Sequence, residues 1–188
     1  RDRIFQSFWI FVDMEKKAIV VLGMHRSGTS LLAKALETMG FDFTGNLMPA
    51  NRDNPTGFWE DLDIVRLNDS ILRSNQSSWE VPLDSDNHSF SSEFDDTART
   101  ILMEKFSDRQ SLIIKDPRIS ILLGFWSKQF SACNISAEYL VSYRDPINVS
   151  ASLNRRDGID TRMGLLLNYF YNRSIMEFLG GDAFLVNY

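Results

Sequence analysis

The chain has 188 residues, 44% hydrophobic and 12% aromatic, which suits a single domain with a sizeable core and excludes a disordered polymer. Twenty basic against 25 acidic side chains leave a net charge of −5, so a general polyanion-binding coat is excluded, no nucleic-acid partner is expected, and any anion site must be local. Cys133 is the only cysteine and His25 and His88 the only histidines, which rules out a disulfide framework, a Cys-based zinc cluster or a His-rich metal site and fits a reducing, cytoplasmic setting.

Residues 1–16 read as an N-terminal arm or extension. Phe8-Trp9-Ile10-Phe11-Val12 is too short for a secretory core and lacks a small-residue cleavage site, and Met14 is an equally natural start ahead of the first strand. The apolar runs Ala18–Leu22 and Ile121–Trp126 fall far short of the roughly 20 residues that cross a bilayer, so no membrane span is expected.

Strand-length apolar runs at Ala18–Leu22, Leu112–Ile114, Tyr139–Ser142 and Ala183–Val186 alternate with helix-period stretches. The helices are expected at Ser30–Met39, Asp61–Arg73, Phe94–Phe106, Ile119–Phe130, Ile147–Asn154 and Met163–Leu179. That alternation predicts an α/β three-layer sandwich around a central parallel sheet. Ile19-Val20-Val21-Leu22 has the continuous apolar character of a strand covered on both faces.

Two stretches interrupt the pattern. Asn46–Trp59, with two prolines, reads as a loop of substrate-binding size. Ser74–Ser92 contains seven serines and no Lys or Arg, which reads as a solvated excursion or a lid over an acceptor.

Between the first strand and helix lies Gly23-Met24-His25-Arg26-Ser27-Gly28-Thr29-Ser30, a strand, a glycine-bracketed loop and a helix. Backbone N–H groups at such a helix start face an anion, and the glycines let the backbone approach it. The glycine spacing is that of a Walker A loop, but Thr29 stands where the Walker lysine belongs and the basic side chain is Arg26. Two later strands end in an echo, Lys115-Asp116-Pro117 and Arg144-Asp145-Pro146. Asp and Pro suit a helix cap and its first position, so Asp116 and Asp145 are expected as caps. Lys115 and Arg144 would project with Arg26 from the carboxyl ends of parallel strands, where ligands bind, which suggests a multiply charged anion.

These residues resemble the sulfotransferases that use 3′-phosphoadenosine 5′-phosphosulfate (PAPS). Arg26-Ser27-Gly28-Thr29-Ser30 is similar to the family's 5′-phosphosulfate loop, and Arg144 with Ser152 eight residues later is similar to its 3′-phosphate signature. The likeness runs from Lys17 to Tyr188 and is closer to bacterial members than to the animal cytosolic enzymes. It implies a P-loop-containing nucleotide-hydrolase-like fold and a single sulfotransferase domain over 1–188. It also implies PAPS as cofactor, with 3′-phosphoadenosine 5′-phosphate as product.

The family places a stacking tryptophan where Leu31 stands and a catalytic histidine near Lys115-Asp116-Pro117-Arg118, and neither is present. Its C-terminal basic loop has no counterpart up to Tyr188, so the family domain is expected to continue past 188.

The expected reaction is metal-independent transfer of a sulfuryl group to a hydroxyl or amine of a small-molecule or glycan acceptor. His25, Arg26, Ser27, Gly28, Thr29 and Ser30 would bind the donor together with Arg144 and Ser152. Arg26 and Lys115 would stabilise charge, and Glu60, which follows the Asn46–Trp59 loop, would be the base, as in glycan-modifying members of the family. Asp116, Asp61 and His25 are the alternatives to Glu60, which otherwise reads as a helix-start carboxylate. Two other functions fit the same loop, a P-loop nucleotide or small-molecule kinase and a non-catalytic nucleotide-binding module.

Overall fold

The computed structural model describes residues 15–50, 54, 57–81, 90–181 and 183–188. Residues 1–14 of the expected arm, residues 82–89 of the Ser74–Ser92 excursion, His88 among them, and most of the tip of the Asn46–Trp59 loop lie outside the described residues. Four strands, β1 (Lys16–Leu22), β2 (Ser111–Lys115), β3 (Ile135–Tyr143) and β4 (Phe184–Asn187), form one all-parallel sheet in the order β2-β1-β3-β4. Among the described residues six α-helices accompany them: α1 (Thr29–Thr38), α2 (Leu62–Ser74), α3 (Ser92–Lys105), α4 (Leu123–Ala132), α5 (Pro146–Asp157) and α6 (Thr161–Leu179).

Period-two alternation sorts each strand between two cores. Ala18, Val20 and Leu22 of β1, with Leu112 and Ile114 of β2, meet the apolar sides of α2, α3 and α4. Ile19, Val21 and Ile113 face the other way, toward Leu32 and Leu36 of α1. Since β1 and β2 are covered on both faces, their sequences carry no polar alternation. Each fully buried Leu, Ile or Phe stabilises the fold by about 1.5–3 kcal/mol relative to its exposed state. Trp126 is fully buried, and its indole N–H donates to Asn68 Oδ1 at 2.8 Å, which satisfies the polar end of an otherwise apolar side chain.

Two expected boundaries change most. The helix anticipated at Ile119–Phe130 divides into a 3₁₀ turn at Pro117–Ile121, capped by Asp116, and α4 starting at Leu123. Asp116 Oδ1 accepts from the Arg118 N–H at 3.0 Å, and Leu122 leaves helical backbone space at φ −120°. β3 starts at Ile135, four residues before the apolar run suggested. Among the described residues β4 pairs only with Leu140–Tyr143, and in the earlier half of β3 the polar Ser136 and the exposed Glu138, which pairs with Lys17 of β1 at 2.7 Å, hide the strand from an apolar-run reading. β4 is an edge strand with Phe184 and Leu185 exposed, so its apolar composition does not signal a buried strand.

No helix among the described residues is long and apolar enough to cross a membrane.

Candidate functional site

The chain passes from β1 to β2 on one side of the sheet and then to β3 on the other. This reversal opens a crevice at the carboxyl end of β1, where open α/β sheets bind ligands. The residues following β1, ending β2 and following β3 all reach one cleft of about 520 Å³, and Tyr188 joins them from just beyond β4.

The glycine-bracketed loop makes the floor. Gly23 has φ +140°, and a Cβ there would come within 2.6 Å of the Ser142 carbonyl. Gly28, at φ +100°, is the N-cap of α1 but offers it no side chain, and the first turn carries no acidic residue. The Leu31 N–H turns back to the Gly28 carbonyl at 2.9 Å, which leaves the Thr29 and Ser30 N–H groups to whatever enters the cleft, and the helix dipole favours an anion there. Ser27 is buried and its hydroxyl has no partner, while its carbonyl accepts from Ser142 Oγ at 2.9 Å, which ties the loop to β3. Thr29 is buried beneath the loop, and Ser30 Oγ faces the cleft 3.4 Å from Lys115 Nζ.

Arg26 takes positive φ, +69°, a conformation that disfavours ordinary side chains and persists where the surroundings enforce it. Its Nε–H donates to Ser152 Oγ at 2.9 Å, and its carbonyl accepts from Arg144 Nη1 at 3.1 Å. The two segments that carry the resemblance thus interlock. The ring of Tyr188 lies 4.9 Å from the Arg144 guanidinium and against Gly28, so a Cβ at Gly28 would come within 2.7 Å of it. Burial and then the nearby Arg156 pull the Arg26 guanidinium below its ordinary range.

The far wall is a buried ionic cluster. The Asn46–Trp59 loop closes on itself where the Met48 N–H donates to the Glu60 carbonyl at 2.7 Å and the Leu62 N–H to the Asn46 carbonyl at 2.8 Å. That closure sets Glu60 just before the α2 cap, with Trp59 at φ +54°, and turns its side chain away from the helix. Lys115 Nζ donates to Glu60 Oε1 at 2.6 Å and to the Phe58 carbonyl at 2.9 Å, and Arg118 Nη1 lies 3.5 Å from Glu60 Oε2. Glu60 is only 4% exposed and Lys115 3%, so the pair is desolvated.

Asp116 lies behind this pair. Its Oδ1 accepts from Arg118 Nη1 at 2.9 Å and its Oδ2 from Asn68 Nδ2 at 2.9 Å. Burial works against the charge of Arg118, but Asp116, Glu60 and Asp69 outweigh it and hold the guanidinium above its ordinary range.

Of the carboxylates named as alternative bases, Asp61 caps α2 and pairs with Lys105 at 2.9 Å, and Asp116 is a buried cap. Asp145 caps α5, as its Asp-Pro sequence predicts. His25 is buried between Trp79, 4.5 Å away between ring centroids, and Tyr171, and its Nε2 has no partner. Burial first, then the charges of Arg118, Lys115, Arg156 and Arg26, hold this imidazole well below the ordinary value of 6.5, so it is neutral.

All ten residues singled out in the sequence line this cleft or brace its loop. The sequence reading missed Arg118, which reaches Glu60 across the site, Arg156, which follows Ser152 by one helical turn, and Tyr188. Only the i, i+4 spacing of Ser152 and Arg156 was a signal visible in one dimension. No protein-family model matches this chain, and no curated protein matches it.

Proposed function

We propose that this chain transfers a sulfuryl group from PAPS to a hydroxyl or amine of a small-molecule or glycan acceptor. One observation carries the reading. Two sequence segments suited to opposite ends of a doubly phosphorylated nucleotide meet in one cleft, with Arg26 bonded to Ser152 and to Arg144, and Lys115 with Glu60 stands on the opposite wall.

The residues present fit such a donor. The uncapped start of α1 and the Ser30 hydroxyl at the cleft suit a phosphosulfate, and the guanidiniums near Ser152 suit a second phosphate. PAPS, when bound, supplies the sulfuryl group and a good leaving phosphate.

In this reading the loop amides and Ser30 hold the phosphosulfate, Arg144 and Ser152 hold the 3′-phosphate, and Arg26 braces both. Glu60 takes the proton of the acceptor hydroxyl. Lys115 then gains a second effect. While Glu60 is ionised it holds the ammonium at 2.6 Å, and once Glu60 is protonated that charge is released toward Ser30 and the cradle, where negative charge accumulates on the departing phosphate. General-base catalysis and one preorganised cation typically contribute about 10²–10⁴ and 10²–10³ in rate.

The test is transfer of label from [³⁵S]PAPS to a panel of phenols, sugars and amines, read as labelled acceptor. Formation of 3′-phosphoadenosine 5′-phosphate in step with labelled product supports the assignment, whereas magnesium-dependent phosphoryl transfer from ATP would replace it.

A further inference from the structure

We infer that Arg156 is a specificity-determining residue of the cleft, the third guanidinium of a subsite built for a terminal phosphate dianion. The inference rests on the donor reading above and adds a residue that neither sequence segment contains.

The argument begins with the helix. Ser152 and Arg156 are four apart on α5, so their side chains share one face, and Arg156 lines the same cleft as Arg26 and Arg144. Its guanidinium stands 5.7 Å from the ring of Trp79. Trp79 is in turn fixed by His25, 4.5 Å away, and by its carbonyl, which accepts from the buried Tyr171 hydroxyl at 3.1 Å. An arginine braced on an aromatic shelf loses less freedom on gripping an anion than one reaching from solvent.

Charge points the same way. Arg26, Arg144 and Arg156 bring three positive charges to this end of the cleft and Asp157 one negative, a surplus of two that matches a phosphomonoester dianion. After burial, Arg156 exerts the largest effect on Arg26, and it is repulsive. Guanidiniums that repel one another are relieved when a dianion enters between them. Asp157 meets Arg156 through Nε, at 2.8 Å to each carboxylate oxygen, a contact that orients the guanidinium without using its terminal nitrogens. Two parallel donors from those nitrogens suit phosphate oxygens.

A competing role exists on the same helix, because Arg155 and Arg156 both sit in the last turn of α5, where cations offset the dipole. A ratio of affinities separates the two roles. 3′-Phosphoadenosine 5′-phosphate and AMP differ by the 3′-phosphate alone, so calorimetric affinities for both are measured on the wild type and on Arg156→Met, Arg156→Lys and Arg155→Met.

Arg156→Met is expected to cut the preference for the bisphosphate by about tenfold to a hundredfold with AMP affinity nearly unchanged. Arg156→Lys is expected to recover part of the preference, and Arg155→Met to keep all of it. A wild-type ratio in folded Arg156→Met, or an equal loss in Arg155→Met, overturns the assignment while leaving the donor reading intact. Wild-type protein that binds the two nucleotides equally overturns both.

Discussion

Arg26 and Ser152 lie 126 positions apart, and the Nε–H of the first donates to the hydroxyl of the second at 2.9 Å. The bond joins the loop after β1 to the helix after β3, the two sides of the topological reversal. With the Arg144 contact to the Arg26 carbonyl, it ties the proposed anion site together through the chain's own hydrogen bonds, and preorganisation of that kind lowers the cost of binding a multiply charged molecule.

Arg144 is the first residue to test. Hydrogen bonds to charged groups contribute about 1.5–3 kcal/mol, so Arg144→Ala is expected to weaken 3′-phosphoadenosine 5′-phosphate by about 10- to 100-fold and AMP far less. Equal weakening of both, measured by titration calorimetry, would move Arg144 out of the 3′-phosphate role.

Glu60 and Lys115 should fail differently. Glu60→Gln keeps the shape of the pocket and is expected to lower single-turnover rates by about 10²–10⁴ while nucleotide affinity stays near wild type. Lys115→Ala is expected to lower both, since its charge faces the donor in the ground state as well. Both residues are buried, and removing one partner of a buried pair typically costs about 3–5 kcal/mol, so urea unfolding of Lys115→Ala should show a clear loss of stability. Wild-type turnover in Glu60→Gln would place the base elsewhere.

His25 makes stability depend on pH. Its imidazole is held well below 6.5 in the folded protein, so as pH falls through 6.5 the unfolded chain takes up a proton that the folded one does not. Stability contributed by this residue is therefore intact above that pH and declines on acidification until the folded imidazole also titrates. His25→Gln is expected to flatten the profile between pH 7 and 5, read as the midpoint of thermal unfolding. An unchanged slope in the variant would contradict the burial of a neutral ring.

Nucleotide binding should be insensitive to EDTA. Thr29 stands where an NTPase needs its lysine, and Lys115 and the guanidiniums supply the positive charge at the cleft. A strict magnesium requirement for binding, measured by the same titration, would favour a kinase.

Much of this architecture is legible in one dimension, because β1 and β2 are buried on both faces and their apolar runs are unambiguous. The glycine-bracketed loop and the Asp-Pro caps are also local features, and Gly28, Asp116 and Asp145 occupy the expected positions. The remainder depends on contacts across the chain. Ile119–Phe130 reads as one helix because the spacing of its apolar residues hides the break at Leu122, which the buried hydrogen bonds of Asp116 help to set. Glu60 reads equally well as a helix-start carboxylate, and only its pairing with Lys115, 55 positions away, turns it into the cleft. Arg118 and Tyr188 carry no local signal for the cleft, since the contacts that place them there, Arg118 with Glu60 and Tyr188 with Arg144 and Gly28, reach residues far away in the chain.

The most direct test of the central claim is a binding comparison on the wild-type protein by titration calorimetry, using 3′-phosphoadenosine 5′-phosphate, AMP, ADP and ATP without metal. The account predicts that the bisphosphate binds at least about tenfold more tightly than any of the other three, because it alone places phosphates at both the α1 cradle and the Arg144–Ser152 end. Tighter binding of ATP, or no preference among the four, would contradict it.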